Sequence, residues 1–458
     1  MKSSGLRETM TITQEADQPS RVTLRPLLIV AGLYAVAWGL TYGALRLVWG
    51  AKLGVLNPLL LLVDFILPLI AVVGLSLLGL KTSRPFRWLG LAFAGLLVLV
   101  ILNVITGRVP LMNYGDEGTL SGMIAHGEIF PRWMLGTGIL GFVINKIGVP
   151  FFGPGDDILV IRTLSALVMC LSSAVLFFLF PKRVSLSLTL TSPIWLLLCS
   201  GYDEYYPFIA PLYVVFLMIL SAKMDQRFSP LLIGLFSAVL AASYAGFLPL
   251  AVFLLLAFTF WRGWRKGLLA GLAFVAFSVV LVLILNGFNL SSFLTNYQAS
   301  LNLTDPLNFA GQSLLGTPFF KPEFVLAADN AHRMGLNFFW TGSFLYLILC
   351  AAGYVWLAAS RPEGAVKRAA LLLGLQLLFQ LAYFVFMLPR LGSVQDIDLY
   401  FTAYLSLAFS AGWLVEKLTE KLDERKQTHA HLAVFSLCAG STAVVSLYLV
   451  FLGLYALA

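Results

Sequence analysis

Asn113-Tyr114-Gly115-Asp116-Glu117-Gly118-Thr119 sets two adjacent carboxylates between glycines, just past an apolar run that ends near Ile105. The next apolar run opens only near Ile158, so a long polar connection follows early in the chain. Downstream, the sequence reads as apolar segments joined by short links, broken by three further polar loops. Charge is scarce: of 458 residues 59% are hydrophobic and 11% charged. Soluble domains carry about a quarter charged residues, so this pattern reads as an integral membrane protein. A hydrocarbon core needs roughly 20 apolar residues per helix, and such runs recur throughout.

Spans are expected at 27–47, 57–79, 88–106, 158–180, 185–200, 208–222, 229–245, 247–262, 267–286, 337–358, 367–388, 399–416 and 431–455. The expectation is an all-α polytopic protein of about 13 transmembrane helices. It forms a single membrane domain, 27–458, behind a disordered cytoplasmic tail, 1–26. That tail is polar and mixed in charge, unlike a cleavable signal. Residues 231–261 could form one long helix, but Tyr244-Ala-Gly-Phe-Leu-Pro249 supplies a turn signal. Keeping the hairpin puts Lys81, Arg84, Arg87, Lys182, Arg183, Lys223, Arg227, Arg262, Arg265, Lys266, Arg361, Lys367, Arg368, Lys417, Lys421, Arg425 and Lys426 on one side. By the positive-inside rule that side is cytoplasmic. The net charge of +8 is then a topology signal, and nucleic acid is excluded as a partner.

Loops 107–157, 201–206, 287–336 and 389–398 consequently share the external face. Within the first, Met134 to Lys146 is apolar, rich in small residues and too short to span, which suggests an interfacial or re-entrant helix. Cys170, Cys199, Cys350 and Cys438 lie in or beside apolar runs without metal-type spacing, as buried or lipid-facing residues would.

The external loops hold the candidate chemistry. Asp116 and Glu117 follow a helix end, and their flanking glycines let a bulky substrate approach the backbone. A carboxylate there can act as general base or cation ligand. Asp203 and Glu204 occupy a tight turn bracketed by Tyr202, Tyr205, Tyr206 and Pro207, where desolvation is costly without a partner. Asp396 and Asp398 head the twelfth span with DxD spacing, and Arg390 is the nearest cation. His332 and Arg333, beside Asp329 and Asn330, are candidate metal or phosphate ligands. Arg162 is an intramembrane cation, which needs a partner there. Plainer readings stand beside each: solvated loop acids, helix-start acids meeting the dipole, an aromatic belt.

Taken together, the early Asp116-Glu117 pair, the amphipathic stretch behind it and the many-span body resemble the C-type (GT-C) membrane glycosyltransferases. That superfamily includes the protein O-mannosyltransferases and the aminoarabinose lipid A transferase. Ser200-Gly-Tyr-Asp-Glu-Tyr-Tyr-Pro207, Ala331-His-Arg-Met-Gly-Leu-Asn337 and Gln395-Asp-Ile-Asp-Leu-Tyr400 resemble later external turns of related bacterial members. The resemblance covers about residues 88 to 400. It departs from the best-known members in three ways: two spans precede the helix leading into the first loop, Leu120 stands where an aromatic is common, and there is no separate soluble C-terminal domain.

The resemblance implies transfer of a sugar from a polyprenyl-phosphate donor to an acceptor hydroxyl, with inversion and Asp116 as base. The acceptor would be a cell-envelope glycan, lipid or protein. Such a donor leaves as an anion, so one base and a phosphate-compensating cation suffice. Substrate-binding roles fall to Asp203, Glu204, Arg333, Arg390, Asp396 and Asp398. Glu117 and His332 are the candidate ligands if a divalent cation (Mg or Mn) takes part. The expected place is the plasma (inner) membrane, with a cytoplasmic N-terminus and an external or periplasmic site. Competing expectations are a transporter or flippase of lipid-linked sugars, and an O-antigen ligase or polymerase.

Overall fold

The computed structural model describes residues 24–53, 58–82, 84–105, 157–200, 206–224, 228–243, 247–285, 288, 291, 343–362, 364–386 and 401–456. Fourteen helices and no strand occur among them. They are α1 (Leu24–Leu53), α2 (Pro58–Thr82), α3 (Arg87–Ile105), α4 (Asp157–Leu179), α5 (Val184–Leu190), α6 (Pro193–Cys199) and α7 (Tyr206–Ser221). α8 (Pro230–Ser243), α9 (Leu248–Arg262), α10 (Trp264–Leu285), α11 (Ser343–Ala359), α12 (Gly364–Phe386), α13 (Phe401–Thr419) and α14 (Glu424–Ala456) follow. Six of them are long and apolar enough to cross a membrane: Leu24–Arg46, Pro58–Thr82, Val160–Leu179, Trp264–Ile284, Gly364–Ala382 and Glu424–Leu447. Rows of exposed leucine and valine on α2, α10 and α14's neighbour α1 are what a lipid-facing surface requires.

At the centre stand α5, α6 and α13. Every residue of α5 is buried, and α13 is buried from Phe401 to Val415. α13 is the least apolar of the long internal helices because protein, rather than lipid, surrounds it. Its Thr402, Ser406 and Ser410 recur every four residues and so share one face. Close packing here needs glycine. A Cβ on Gly412 would overlap the Ser185 backbone of α5, and one on Gly440 would overlap Tyr34 of α1. α1 and α14 are further joined by hydrogen bonds from Ser436 to the Val30 carbonyl and between Thr41 and Ser441. Small and hydroxyl-bearing residues at such crossings are the usual means by which helices associate in lipid.

The segment read as one span, 185–200, is two short helices. Pro193 lacks an N–H and cannot bond the Thr189 carbonyl four residues back. That carbonyl instead accepts from the Ser192 amide at 3.2 Å and the Ser192 hydroxyl at 2.7 Å. Thr191 returns its hydroxyl to the Ser187 carbonyl at 2.6 Å, so the break leaves its freed groups satisfied. The doubtful hairpin is present. α8 ends at Ser243 and α9 begins at Leu248, with Pro249 in its first turn, where a missing N–H costs nothing. Both helices pack on α10. All four cysteines are buried and free.

Candidate functional site

The two ends of the bundle differ sharply, and each gathers connections that are far apart in sequence. At one end lie Tyr206, the first residue of α7, and Phe401, the first of α13, with ring centroids 5.5 Å apart. Phe247, just before α9, is 6.2 Å from Phe401 and 5.8 Å from Tyr213. Val160 and Ile161 of α4 pack with Leu164 and with Phe208 of α7. α3 and α4 lie against each other, with Phe93 stacked on Phe177 at 5.8 Å. Connections 106–156, 201–205, 244–246 and 387–400 therefore all leave from this one aromatic patch.

Beneath the patch runs a buried polar ladder. Helical spacing puts Gln376 and Gln380 one turn apart on α12, and Thr402 and Ser406 one turn apart on α13. The upper rung is Thr402 Oγ1 donating to Gln380 Oε1 at 2.6 Å. On the lower rung Gln376 Nε2 donates to the Tyr213 hydroxyl at 3.1 Å, which meets Ser406 Oγ at 2.5 Å. Gln376 Oε1 is buried and has no partner among the described residues. A buried polar group stripped of its partner costs about 1–3 kcal/mol, so these rungs fix α7, α12 and α13 in one relative position. Those three helices lead directly to or from the loops that hold Asp203, Glu204, Arg390, Asp396 and Asp398.

The acids and cations singled out from the sequence lie outside the described residues. These are Asp116, Glu117, Asp203, Glu204, His332, Arg333, Arg390, Asp396 and Asp398, together with the segment 134–146. What the structure brings together is the set of helix ends that carry three of the four loops. Arg162 is half-buried near the start of α4. Among the described residues no group of three or more His, Cys, Asp or Glu side chains could hold a metal ion.

The opposite end is basic. A cavity of about 340 Å³ there is lined by Pro85, Lys182, Arg183, Ser221, Glu416, Lys417, Glu420, Glu424 and His431, among others. It joins the α2–α3, α4–α5 and α13–α14 connections and the end of α7. Every one of those connections was assigned to the same side by its basic residues. Glu416 is the organiser. Its Oε1 accepts from the Ser185 amide and hydroxyl, both at 2.8 Å, and its Oε2 is 3.9 Å from the Arg183 guanidinium. The carboxylate thus caps the start of α5 from another helix, since Arg183 offers α5 no side-chain cap of its own. Lys182 pairs with Glu424, and Lys417 with Glu420, so the acids and bases of this cavity are already matched. Asp423 caps α14 by accepting the Lys426 amide at 2.9 Å. The bonded Lys426 ammonium holds the exposed Asp423 carboxyl below the usual carboxylate range.

Sequence reasoning passed over three features. Asp64 is the lone acid within the expected span 57–79, itself a signal of function in a membrane helix. Glu416 was hidden at the end of an expected span. Tyr213, Gln376 and Ser406 carry no motif, because only tertiary packing joins them.

No family model matches the chain, and neither a curated protein nor a solved structure matches it.

Proposed function

We propose that this chain is an outward-facing membrane glycosyltransferase of the GT-C kind, moving a sugar from a polyprenyl-phosphate donor to an acceptor hydroxyl with inversion. In this reading the fourteen helices make thirteen crossings, with α5 and α6 sharing one. The basic end faces the cytoplasm and the aromatic patch faces outward. One observation carries it: the Tyr206–Phe401 contact, which brings the loop of Asp203 and Glu204 to the loop of Asp396 and Asp398. The Phe208 packing of Val160 adds the far end of the Asp116 loop to the same patch.

The chemistry asked of these loops is modest. Asp116 takes the acceptor proton, while Arg333 or Arg390 offsets the charge left on the departing phosphate. Glu117 and His332 orient the acceptor or hold a divalent ion. Incubating the purified protein with a panel of radiolabelled polyprenyl-phosphate sugars tests this directly. Turnover or slow donor hydrolysis is expected, and silence across the panel with folded protein counts against it.

A transporter of lipid-linked sugars is the second reading. It draws on the buried break between α5 and α6, since interrupted helices often form substrate sites in transporters. Counterflow of a lipid-linked sugar across proteoliposomes, with no transfer, would favour it.

A further inference from the structure

A second cavity, about 360 Å³, lies between α2, α3, α6 and α14, away from both ends just described. Its walls are apolar: Val72 and Leu75, Leu89, Phe93 and Leu96, and Phe435. Its polar groups are concentrated at the end away from the basic face. There Asp64 of α2 stands near the start of its helix and Ser446 far along α14. Asp64 Oδ2 accepts from the Trp38 indole at 2.9 Å, the one side-chain donor it has among the described residues. The Ser446 hydroxyl is buried and has no partner among them. None of the residues lining the cavity is basic.

The slot is long and narrow. From Asp64 to Leu75 is eleven residues of helix, about 16 Å at 1.5 Å per residue. A volume of 360 Å³ over that length leaves a mean cross-section of about 20 Å², room for one extended hydrocarbon chain. Depth is set by aromatic rings. Trp38 stacks on Tyr42 at 5.2 Å, and paired interfacial Trp and Tyr mark the headgroup level. Asp64, bonded to Trp38, therefore stands at the height of lipid headgroups while the slot descends below it into the acyl region. A carboxylate at that depth without a basic neighbour requires a cation or a hydrogen-bond donor.

We infer that this slot binds a phospholipid whose head is a primary ammonium, with the ammonium donating to Asp64 and one acyl chain filling the groove toward Leu75 and Leu89. The inference does not rest on the transferase reading. Polarity at one end, apolar walls along the rest and an uncompensated acid at headgroup height together select an amphiphile of this charge. A quaternary head carries the same charge but has no N–H to donate, and an anionic head is repelled.

The test is lipid retention. Wild-type protein is taken from nanodiscs of equal phosphatidylethanolamine, phosphatidylcholine and phosphatidylglycerol into mild detergent, and bound lipid is read by native mass spectrometry. Phosphatidylethanolamine should be retained over phosphatidylcholine by about tenfold, the factor set by one charge-assisted hydrogen bond of roughly 1.4 kcal/mol. Asp64→Asn should erase the preference, and Ala92→Trp, which fills the slot but keeps the acid, should lower retention of every lipid. Equal retention by the wild type, or an unchanged preference in Asp64→Asn, means annular lipid only and overturns the proposal. If Asp64→Asn does not fold, the Ala92→Trp result decides, and undiminished retention there overturns it equally.

Discussion

Removing the Glu416 carboxylate should loosen the molecule at its most buried helix. The Ser185 amide and hydroxyl both donate to Oε1 at 2.8 Å, and α5 has no other side-chain cap at that end. Hydrogen bonds to a charged acceptor contribute about 1.5–3 kcal/mol each, and an orphaned buried amide costs about 1–3 kcal/mol. The hydroxyl can rotate to a new partner, so Glu416→Ala is expected to cost about 2–4 kcal/mol. Arg183 adds little, since its guanidinium is 3.9 Å away and 38% exposed, where pairs contribute tenths of a kcal/mol. Glu416→Gln retains an acceptor without the charge and should cost roughly half as much. The assay is denaturant or thermal unfolding of the purified protein in detergent, with Lys182→Ala as the control. Lys182 and Glu424 are both more than half exposed, so breaking that pair should cost under about 1 kcal/mol. A Glu416→Ala variant no less stable than Lys182→Ala would refute the cap. Combining Glu416→Gln with Ser185→Ala should show a coupling of about 1 kcal/mol, and strict additivity would refute it as well.

Gly412→Ala should destabilise by about 1–3 kcal/mol, because its Cβ would overlap the Ser185 backbone where α13 meets α5; an unchanged unfolding midpoint would contradict that packing. Tyr213→Phe strips Ser406 and Gln376 of their shared partner and should cost about 1–3 kcal/mol, against a near-neutral change if those groups re-pair. Cysteines placed at Tyr206 and Phe401 should form a crosslink with a short bifunctional reagent, given ring centroids 5.5 Å apart. Their failure to react while folded would separate the two acid-bearing loops. Single cysteines at Lys81, Lys182, Arg265 and Lys421 should all be labelled from the same membrane face, and a split result would break the assigned topology.

Apolar runs of the right length carried most of the helical architecture, since their bounds depend on local chemistry that a sequence displays. The charge bias also told which connections share an end: Lys182, Arg183 and Lys417 line one cavity although more than 200 residues separate them. Pro193 was a visible breaker, yet the expected span 185–200 ran through it, because apolar content outweighed one proline in the reading. α13 shows the reverse. Its polar face is bland by composition, and only contact with α7 and α12 makes Thr402 and Ser406 partners of Gln380 and Tyr213. Asp64 was legible as a lone intramembrane acid, whereas the slot beside it needs four helices from three regions of the chain. Asp116 and Glu117 stand where the sequence put them, in the connection between α3 and α4, outside the described residues.

The most direct test of the proposed chemistry is sugar transfer by Asp116→Asn compared with Glu117→Gln, using whichever polyprenyl-phosphate donor the wild type accepts. Asparagine keeps the size and hydrogen bonding of aspartate but not its basicity. Loss of a positioned general base typically lowers rate by about 10² to 10⁴. The expected result is that fall in Asp116→Asn with unfolding behaviour unchanged, and a smaller loss in Glu117→Gln. Near wild-type transfer by Asp116→Asn would contradict the assignment of the base, and full activity in both variants would place the chemistry elsewhere.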